Sequence, residues 1–274
     1  MIPVTGISIV IRTSNSEKPL RKLLNSFKTS PEDEIVIVDT GSTDGTIHVA
    51  EAAGAKIIQN TRTFNYSHTL NLGFDAAKNN WILSLSAHSI PVNVDFLERY
   101  RLALARLPET TVVVYGLQAF SRRDYNKLTK EIVVFSGPVS PKPWCGGGNT
   151  NALYWRKAWE SHRFDESIQR GEDGEWRDWA LKTGYACAQA AEACMFYRHN
   201  KGPIYRYKKA YADVTLCMQD APSMSFRQLM IGFASATRHL LWENFYGIAW
   251  TGEVAHLLGS FAAGRRKKID KERA

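Results

Sequence analysis

The chain has 274 residues, which suits one large domain, or one domain with a small appendage. Hydrophobic residues make up 44% of the sequence and charged residues 23%, the usual balance for a globular protein. The net charge of +8 would suit nucleic acid, anionic lipid or a phosphorylated substrate as partner. No helix-turn-helix, zinc-finger or aromatic RNA-binding signature accompanies this charge, so we expect no nucleic-acid partner.

The cysteines and the N-terminus indicate where the protein works. The four cysteines are Cys145, Cys187, Cys194 and Cys217. None forms a C-x-x-C pair, so we expect free thiols in a reducing compartment. The first four residues do not begin a signal peptide, and no apolar stretch reaches the roughly 18 residues of a membrane-spanning helix. These features predict a cytoplasmic protein, with peripheral association at the inner face of the membrane as an alternative.

The first 91 residues alternate between predicted strands and helices. We expect strands over residues 7–12, 34–39, 55–59 and 81–86, and helices over residues 17–29, 46–53 and 69–78. This alternation is typical of βαβ units and a mainly parallel sheet, whose ligands bind at the carboxyl ends of the strands. The polar residues at those ends are Arg12, Thr13, Ser14, Asn15, Asp39, Ser42, Asp44, Ser86 and His88. They are predicted to converge on one edge.

After residue 92 the pattern changes. We expect helices over 95–106 and 172–183, strands over 111–117 and 131–135, and loops over 121–130 and 138–148. Residues 226–263 have the pattern of an amphipathic helical tail, followed by the basic run Arg265–Lys268. This tail predicts contact with an anionic membrane surface, or packing against the rest of the chain or a second subunit, which would make a homodimer.

The run 38–46, Val-Asp-Thr-Gly-Ser-Thr-Asp-Gly-Thr, places an acid at the end of a buried strand and a glycine turn after it. Either Thr43 or Asp44 could serve only as a helix N-cap. Asp39 is harder to explain in that way, because a buried carboxylate needs hydrogen-bond donors. A base N–H or a ribose hydroxyl would be a suitable donor, so Asp39 is a candidate nucleotide-binding residue.

The run 38–46 is part of a longer segment, 35–46. Together with the run 7–15, this segment resembles the start of family 2 glycosyltransferases with the GT-A fold. The resemblance covers about residues 5–200. It implies an α/β fold with a Rossmann-like, mainly parallel central sheet flanked by helices. The implied catalytic domain spans 1–220, with a nucleotide-sugar-binding half over 1–91 and an acceptor-binding half over 92–220. Residues 221–274 would form a C-terminal helical extension.

Residues 64–73 resemble the segment that precedes the fourth strand in this family, where Leu70 replaces the usual arginine, so one donor contact common in the family is missing. The Phe-Asn-Tyr-Ser-His stretch is closer to the rhamnosyltransferase-like branch. The resemblance implies a nucleoside diphosphate sugar as donor. The implied donor-binding residues are Thr13, Ser14, Asn15, Asp39, Ser42, Asp44, Asn65, Asn71, Ser86, Ala87 and Gly147.

The segment Ser86-Ala87-His88 occupies the position where the family usually carries the Asp-x-Asp that grips a divalent cation. Imidazole suits Mn²⁺ better than Mg²⁺, so His88 and the later His199 are predicted to hold a Mn²⁺-like ion with the donor diphosphate. Two alternatives stay open. The histidines could be structural, or the enzyme could be metal-independent and neutralise phosphate with arginine or lysine.

The run Gly171-Glu172-Asp173-Gly174-Glu175-Trp176 resembles the family's Glu-Asp pair at the acceptor site. An inverting transfer needs one carboxylate to take a proton from the acceptor hydroxyl. We expect Asp173 to be this base and Glu172 to position the acceptor or the adjacent backbone, although both could simply cap a helix. Trp176, and Trp144 in the glycine-rich stretch before it, are candidate acceptor-binding residues, with a core role as the alternative for Trp176.

The sequence thus predicts an inverting glycosyltransferase that moves a hexosyl or deoxyhexosyl group from a nucleoside diphosphate sugar to a glycan or lipid-linked acceptor. By family analogy, the acceptor would belong to bacterial O-antigen or capsule synthesis. A nucleotidyltransferase is disfavoured because residues 11–15 contain no glycine. A catalytically degenerate scaffold is the other alternative, and the intact pair Glu172 and Asp173 counts against it.

Overall fold

The structure is a computed structural model that describes residues 6–119, 121–128, 130–137, 148–168 and 171–197, with only the backbone at 124 and 197. These residues belong to one compact unit that ends at Arg198. The predicted domain boundary at residue 220 and the helical tail over 221–274 lie outside the described residues. Within the described part, no helix combines the length and the apolar character needed to cross a bilayer.

Nine strands and seven α-helices are found in the described residues. The strands are β1 (Ile7–Thr13), β2 (Glu34–Asp39), β3 (Lys56–Gln59), β4 (Trp81–Ser86), β5 (Ser89–Pro91), β6 (Thr111–Ala119), β7 (Ile132–Ser136), β8 (Asn151–Trp155) and β9 (Ala186–Tyr197). The helices are α1 (Glu17–Leu24), α2 (Thr46–Ala52), α3 (Tyr66–Ala76), α4 (Phe96–Leu104), α5 (Arg122–Lys127), α6 (Arg156–Ser161) and α7 (Glu172–Lys182), and a 3₁₀ turn covers Gly148–Thr150.

All nine strands form one sheet, in the order β3-β2-β1-β4-β8-β6-β9-β5, with β7 also paired to β9. The pairings among β1, β2, β3 and β4 are parallel, as the sequence predicts. Beyond β4 the sheet is mixed, because β8 pairs antiparallel with both β4 and β6, whereas β6 and β9 are parallel. The α/β fold class is confirmed. The described residues before and after residue 92 share one continuous sheet.

Alternate residues of β1 face two separate apolar cores. Ile9 belongs to a cluster with Leu20 of α1 and Phe96 of α4. Val10 belongs to a second cluster, on the face covered by α3, α6 and α7, with Phe74 and Trp176. A strand that is buried on both faces needs a mainly apolar run, which explains the Ile-Ser-Ile-Val-Ile sequence of β1; its one polar residue, the buried Ser8, donates to Glu34 Oε1 at 2.5 Å. The sheet is therefore the middle of three layers, and its carboxyl edge is held between two packed cores.

The cysteines within the described residues are free, as expected. Cys187 and Cys194 are both buried in β9. Burial raises the pKa of the Cys187 thiol to about 12 and that of the Cys194 thiol to about 11. Both stay protonated at neutral pH and behave as small apolar side chains. Cys145 and Cys217 lie outside the described residues.

Candidate active site

The carboxylate of Asp39 ties together the ends of β1 and β2. Its Oδ1 accepts hydrogen bonds from Thr13 Oγ1 at 2.9 Å and Ser42 Oγ at 2.5 Å, and its Oδ2 accepts one from Ser42 N at 2.9 Å. The residue is only 1% exposed. The protein itself therefore supplies the donors that a buried carboxylate needs. A carboxylate oxygen can accept two bonds, so Oδ2 keeps capacity for one more donor, and nucleotide binding by Asp39 stays a prediction.

We expect Asp39→Ala to lower the free energy of unfolding by about 1–3 kcal/mol, because it leaves the Thr13 hydroxyl and the Ser42 N–H without their buried acceptor. Asp39→Asn is the matched control. Its amide can donate to the two hydroxyls and accept from Ser42 N, so its stability should stay within about 1 kcal/mol of the wild type. Urea unfolding measures both. Equal stability of Asp39→Ala and the wild type would show that the carboxylate does not hold this turn.

Ser14, Asn15 and Asp44 complete a polar loop above the same strand ends. Ser14 Oγ donates to Thr40 O at 3.1 Å, and Asn15, which has a φ of 44°, accepts from Thr43 N at 2.9 Å. Asp44 accepts from Glu17 N at 3.2 Å, at the start of α1, and from the backbone and hydroxyl of Thr46, at the start of α2. These bonds, that from the Thr46 hydroxyl above all, lower the pKa of Asp44.

The structure thus brings Thr13, Asn15, Asp39 and Ser42 into one hydrogen-bonded group at the carboxyl edge of the sheet. Asp44 accepts from the first N–H groups of α1 and α2, but the N-cap residues of these helices are Ser16 and Gly45, so neither Thr43 nor Asp44 is an N-cap. The charge of Asp44 also suits the positive end of both helix dipoles. Contact between this group and a donor stays a prediction.

The two asparagines predicted to bind the donor join α3 to residues 159–168. Asn65 accepts from His68 N at 2.9 Å, as the N-cap of α3, and donates to Glu166 O at 3.0 Å. Asn71 is 3% exposed; it donates to Phe164 O at 2.9 Å and accepts from Trp159 Nε1 at 3.2 Å. The contacts of Asn71 are internal, so its described role is to fix α3 against the neighbouring segment.

The predicted metal residues lie around the end of β4. Ser86 ends the strand in direct register with Arg12 of β1, Ala87 is 1% exposed, and His88 is exposed in the turn that follows. His199 lies outside the described residues. Over the described ranges, no three His, Cys, Asp or Glu side chains come together as a metal-binding group. Of the predicted ligand pair, the described side chains therefore include His88 alone.

Glu172 opens α7 and is held by Asn149. It is 6% exposed, and its Oε1 accepts from Asn149 Nδ2 at 3.0 Å. Asn149 Oδ1 accepts from Tyr154 Oη at 2.6 Å. The Asn149 carbonyl accepts from Ser84 Oγ at 2.7 Å and from Arg12 Nη2 at 3.0 Å. Asn149 thus connects β1 and β4 to the start of α7. Burial, above all, raises the pKa of Tyr154 well above its usual value, so its hydroxyl stays a donor.

Asp173 is the second residue of α7, beside Glu172. Burial and then the negative charge of Glu172 raise its pKa, while hydrogen bonds from the N–H groups of Gly174 and Asp173 and the charge of Arg177 oppose the rise. Gly148, at a φ of 54°, lies against its carboxylate, where a Cβ would overlap Oδ2. A carboxylate whose proton affinity is raised toward neutral pH is better suited to general base catalysis.

The acceptor prediction for Trp176 does not fit the structure. Its side chain is fully buried, its Nε1 donates to His162 O at 2.6 Å, and its ring packs edge-on against Tyr154 at a centroid distance of 4.9 Å. An indole in this position cannot stack on a sugar, so Trp176 is a core residue. Trp144 and Gly147, the other candidates in this region, lie outside the described residues.

A family model described as Glycosyl transferase family 2 matches residues 8–160, which is more than half of the chain. The chain belongs to glycosyl transferase family 2. The match spans the strand-edge residues, Asn149 and β8. It ends before Glu172 and Asp173.

Curated relatives of this family 2 glycosyltransferase match part of the chain. An uncharacterized glycosyltransferase of Rickettsia typhi is 35% identical over 81 residues, which is 30% of this chain and 27% of the relative. Protein RfbJ of Shigella flexneri is 42% identical over 53 residues, 19% of this chain and 41% of that protein. The chain therefore matches about a quarter of the Rickettsia relative's length and less than half of RfbJ.

Solved structures resemble this family 2 glycosyltransferase over almost its whole length. The mannosyltransferase PcManGT from Pyrobaculum calidifontis, in complex with GDP-Man and Mn²⁺, has a TM-score of 0.60 at 13% identity, covering 98% of this chain and 75% of that chain. S. aureus TarS 1–349 has a TM-score of 0.59 at 17% identity, covering 98% and 89%. At these identities the likeness establishes the shared GT-A fold.

Some residues of this site could not be assigned from the glycosyltransferase's sequence. Asn149 donates to Glu172 and accepts hydrogen bonds from Ser84 and Tyr154. Ser84 and Asn149 are 65 residues apart in the sequence. Arg12 is visible in the sequence as a polar residue at a strand end, but its contact with Asn149 spans 137 residues. One local signal could have drawn attention to Asn149: it directly follows the proline- and glycine-rich stretch 138–148.

Proposed function

We propose that this family 2 glycosyltransferase transfers a sugar, with inversion, from a nucleoside diphosphate sugar to a hydroxyl of a glycan or glycolipid. The observation that carries the proposal is the placement of Asp173, a partly buried carboxylate of raised pKa at the start of α7. The neighbouring charge of Glu172 contributes to this raised pKa, and Gly148 lies against the Asp173 carboxylate. The donor would lie at the carboxyl edge of the sheet, where Thr13, Asp39 and Ser42 meet.

In this reaction Asp173 removes the proton of the acceptor hydroxyl as that oxygen attacks the anomeric carbon. The bond from the anomeric carbon to the phosphate oxygen breaks, and the nucleoside diphosphate leaves with the electron pair. A single displacement of this kind inverts the anomeric centre. Glu172, held by Asn149, keeps the first turn of α7 in place and adds the negative charge that raises the proton affinity of its neighbour.

The nature of the donor and the acceptor is also a proposal. Solved relatives are described with GDP-Man and Mn²⁺ in one case and with UDP-GlcNAc in another, which supports a donor of this class. A Mn²⁺-like ion could be bound by His88, His199 and the diphosphate, where it would neutralise the leaving group's charge. The acceptor would be a bacterial surface polysaccharide of the O-antigen or capsule type. The basic run 265–268 supports contact with an anionic membrane surface, and homodimer formation also stays a proposal.

Calorimetric titration of UDP, GDP and dTDP, each with Mn²⁺ and then with EDTA, tests this proposal. We expect one nucleotide to bind tightly with Mn²⁺, and His88→Ala to weaken that binding because it removes a metal ligand. Unchanged nucleotide binding in EDTA would show that the donor binds without a metal, and the proposed transferase function would stand. If none of the three nucleotides binds, the proposed donor class is wrong and a scaffold role gains support.

A further inference from the structure

Arg12 places a positive charge at the carboxyl edge of the sheet. It follows Val10 by two residues, so it lies on the sheet face covered by α3 and α7, in register with Ser86. Its guanidinium lies over the ring of Tyr66, 5.4 Å from the centroid. Nη2 donates to Asn149 O at 3.0 Å, and Arg12 is partly buried.

The guanidinium of Arg12 is incompletely paired. Its Nε is buried and has no hydrogen-bond partner among the described residues. Over those same residues, no carboxylate lies within 4.0 Å of it. Arginine is always charged, so a buried, unpaired N–H of this group carries a desolvation penalty. An anion bound beside it would remove that penalty.

We propose that Arg12 binds the diphosphate of the nucleotide-sugar donor. This inference rests on the proposed function and names a residue for it. The planar fork of arginine matches two oxygens of a phosphate, and ligands of this kind of sheet gather at the edge where Arg12 lies. The neighbouring position on β4 is the uncharged Ser86, so no carboxylate competes there for the guanidinium.

Helix α3 carries no positive side chain at position 70, so Arg12 of β1 supplies the positive charge at this edge of the sheet. Leu70 is fully buried and packs in the same cluster as Val10, so position 70 supplies no cation. Tyr66, one turn earlier on α3, is the residue over which the Arg12 guanidinium lies. Arg12 therefore brings a positive charge to the start of α3 from the adjacent strand, and this charge can stabilise the leaving diphosphate.

The test compares Arg12→Gln with Ser84→Ala by calorimetry in the buffer, with Mn²⁺ or with EDTA, in which the wild type binds the nucleotide. The probes are the nucleoside diphosphate that binds the wild type, the matching nucleoside, and inorganic pyrophosphate. Arg12→Gln is expected to weaken nucleoside diphosphate binding by about 10- to 100-fold and leave nucleoside binding unchanged, because only the phosphate contact is lost. Ser84→Ala removes the other hydrogen bond to the Asn149 carbonyl, and should leave both affinities within about threefold of the wild type.

Two outcomes would overturn the inference and leave the transferase standing. One is unchanged nucleoside diphosphate affinity in Arg12→Gln. The other is an equal loss in Ser84→Ala, which would mean that Arg12 acts only by holding Asn149. If the wild type binds no nucleotide, the proposed function fails, but loss of pyrophosphate binding in Arg12→Gln would still support the anion site. Arg12→Met, which keeps the apolar stem over Tyr66, replaces Arg12→Gln if the latter lacks the wild-type circular dichroism spectrum.

Discussion

Replacing Asp173 by asparagine is expected to lower kcat by about 10²- to 10⁴-fold, because the side chain keeps its shape and loses the ability to take a proton. Single-turnover transfer from the donor identified by calorimetry measures the effect. Asp165→Asn is the control, since Asp165 is an exposed acid outside α7 and should keep wild-type activity. Unchanged sugar transfer by Asp173→Asn would show that Asp173 is not the base.

The pH profile provides an independent check on Asp173. The base must be ionised, so kcat/KM should rise with pH through the pKa of Asp173. Because burial and Glu172 raise that pKa, the acid limb should lie above the usual range of an aspartate, near 3.9. Glu172→Gln removes the second of these causes, so the limb should move to lower pH. A limb that moves to higher pH would contradict the assigned role of Glu172.

Because its pKa is raised in the folded protein, ionised Asp173 should lower the free energy of unfolding. The folded protein holds the proton more tightly than the unfolded chain, so ionised Asp173 destabilises the fold at pH values above its folded pKa. Asp173→Asn should therefore have a higher Tm than the wild type at pH 7–8. The difference should shrink as the pH falls from the folded pKa of Asp173 toward about 3.9, and it should be absent below that pH. A lower Tm of the variant at neutral pH would contradict this prediction.

Gly148→Ala is expected to lower kcat by about 10²-fold, because its Cβ would overlap the Asp173 carboxylate and displace the base. The φ of 54° adds about 1–2 kcal/mol of backbone strain. Transfer assays and urea unfolding measure the two effects separately.

The matched control for Gly148→Ala is Gly54→Ala. Gly54 has a φ of 66°, and no atom would lie within 4 Å of its added Cβ. It should lose similar stability and keep its activity. If both variants are equally active, the close approach of Gly148 to Asp173 does not matter for catalysis.

The parallel half of the sheet was predictable because its signal is local. Strands buried on both faces require mainly apolar runs, and the centres of β1, β2 and β4 are such runs, with one buried serine in β1 and one in β4. The start of α7 was also predictable, since glycine and three acids mark the first turn of a helix. The carboxyl edge follows from strand direction alone, so the amino-acid sequence is enough to predict that polar residues gather at the strand ends.

The second half of the sheet was not predictable in the same way. The first nine residues of β9 are Ala-Cys-Ala-Gln-Ala-Ala-Glu-Ala-Cys, which contain no β-branched residue and are not typical of a strand. It is a strand because β6, β7 and β5 pair with it, and these pairings are decided by tertiary contact. Sequence also showed that Asp39 needs hydrogen-bond donors. It could not show that Thr13, 26 residues away, is one of them.

The pairing of β4 with β8 bears on how the chain can fold during synthesis. Residues 81–86 leave the ribosome long before residues 151–155, so the outer edge of β4 has no protein partner in the meantime. An apolar strand with an open edge is prone to pair with other chains. A fragment ending after β5 would keep that edge open permanently. We therefore expect such a fragment to aggregate when made alone, and productive folding to wait for β8.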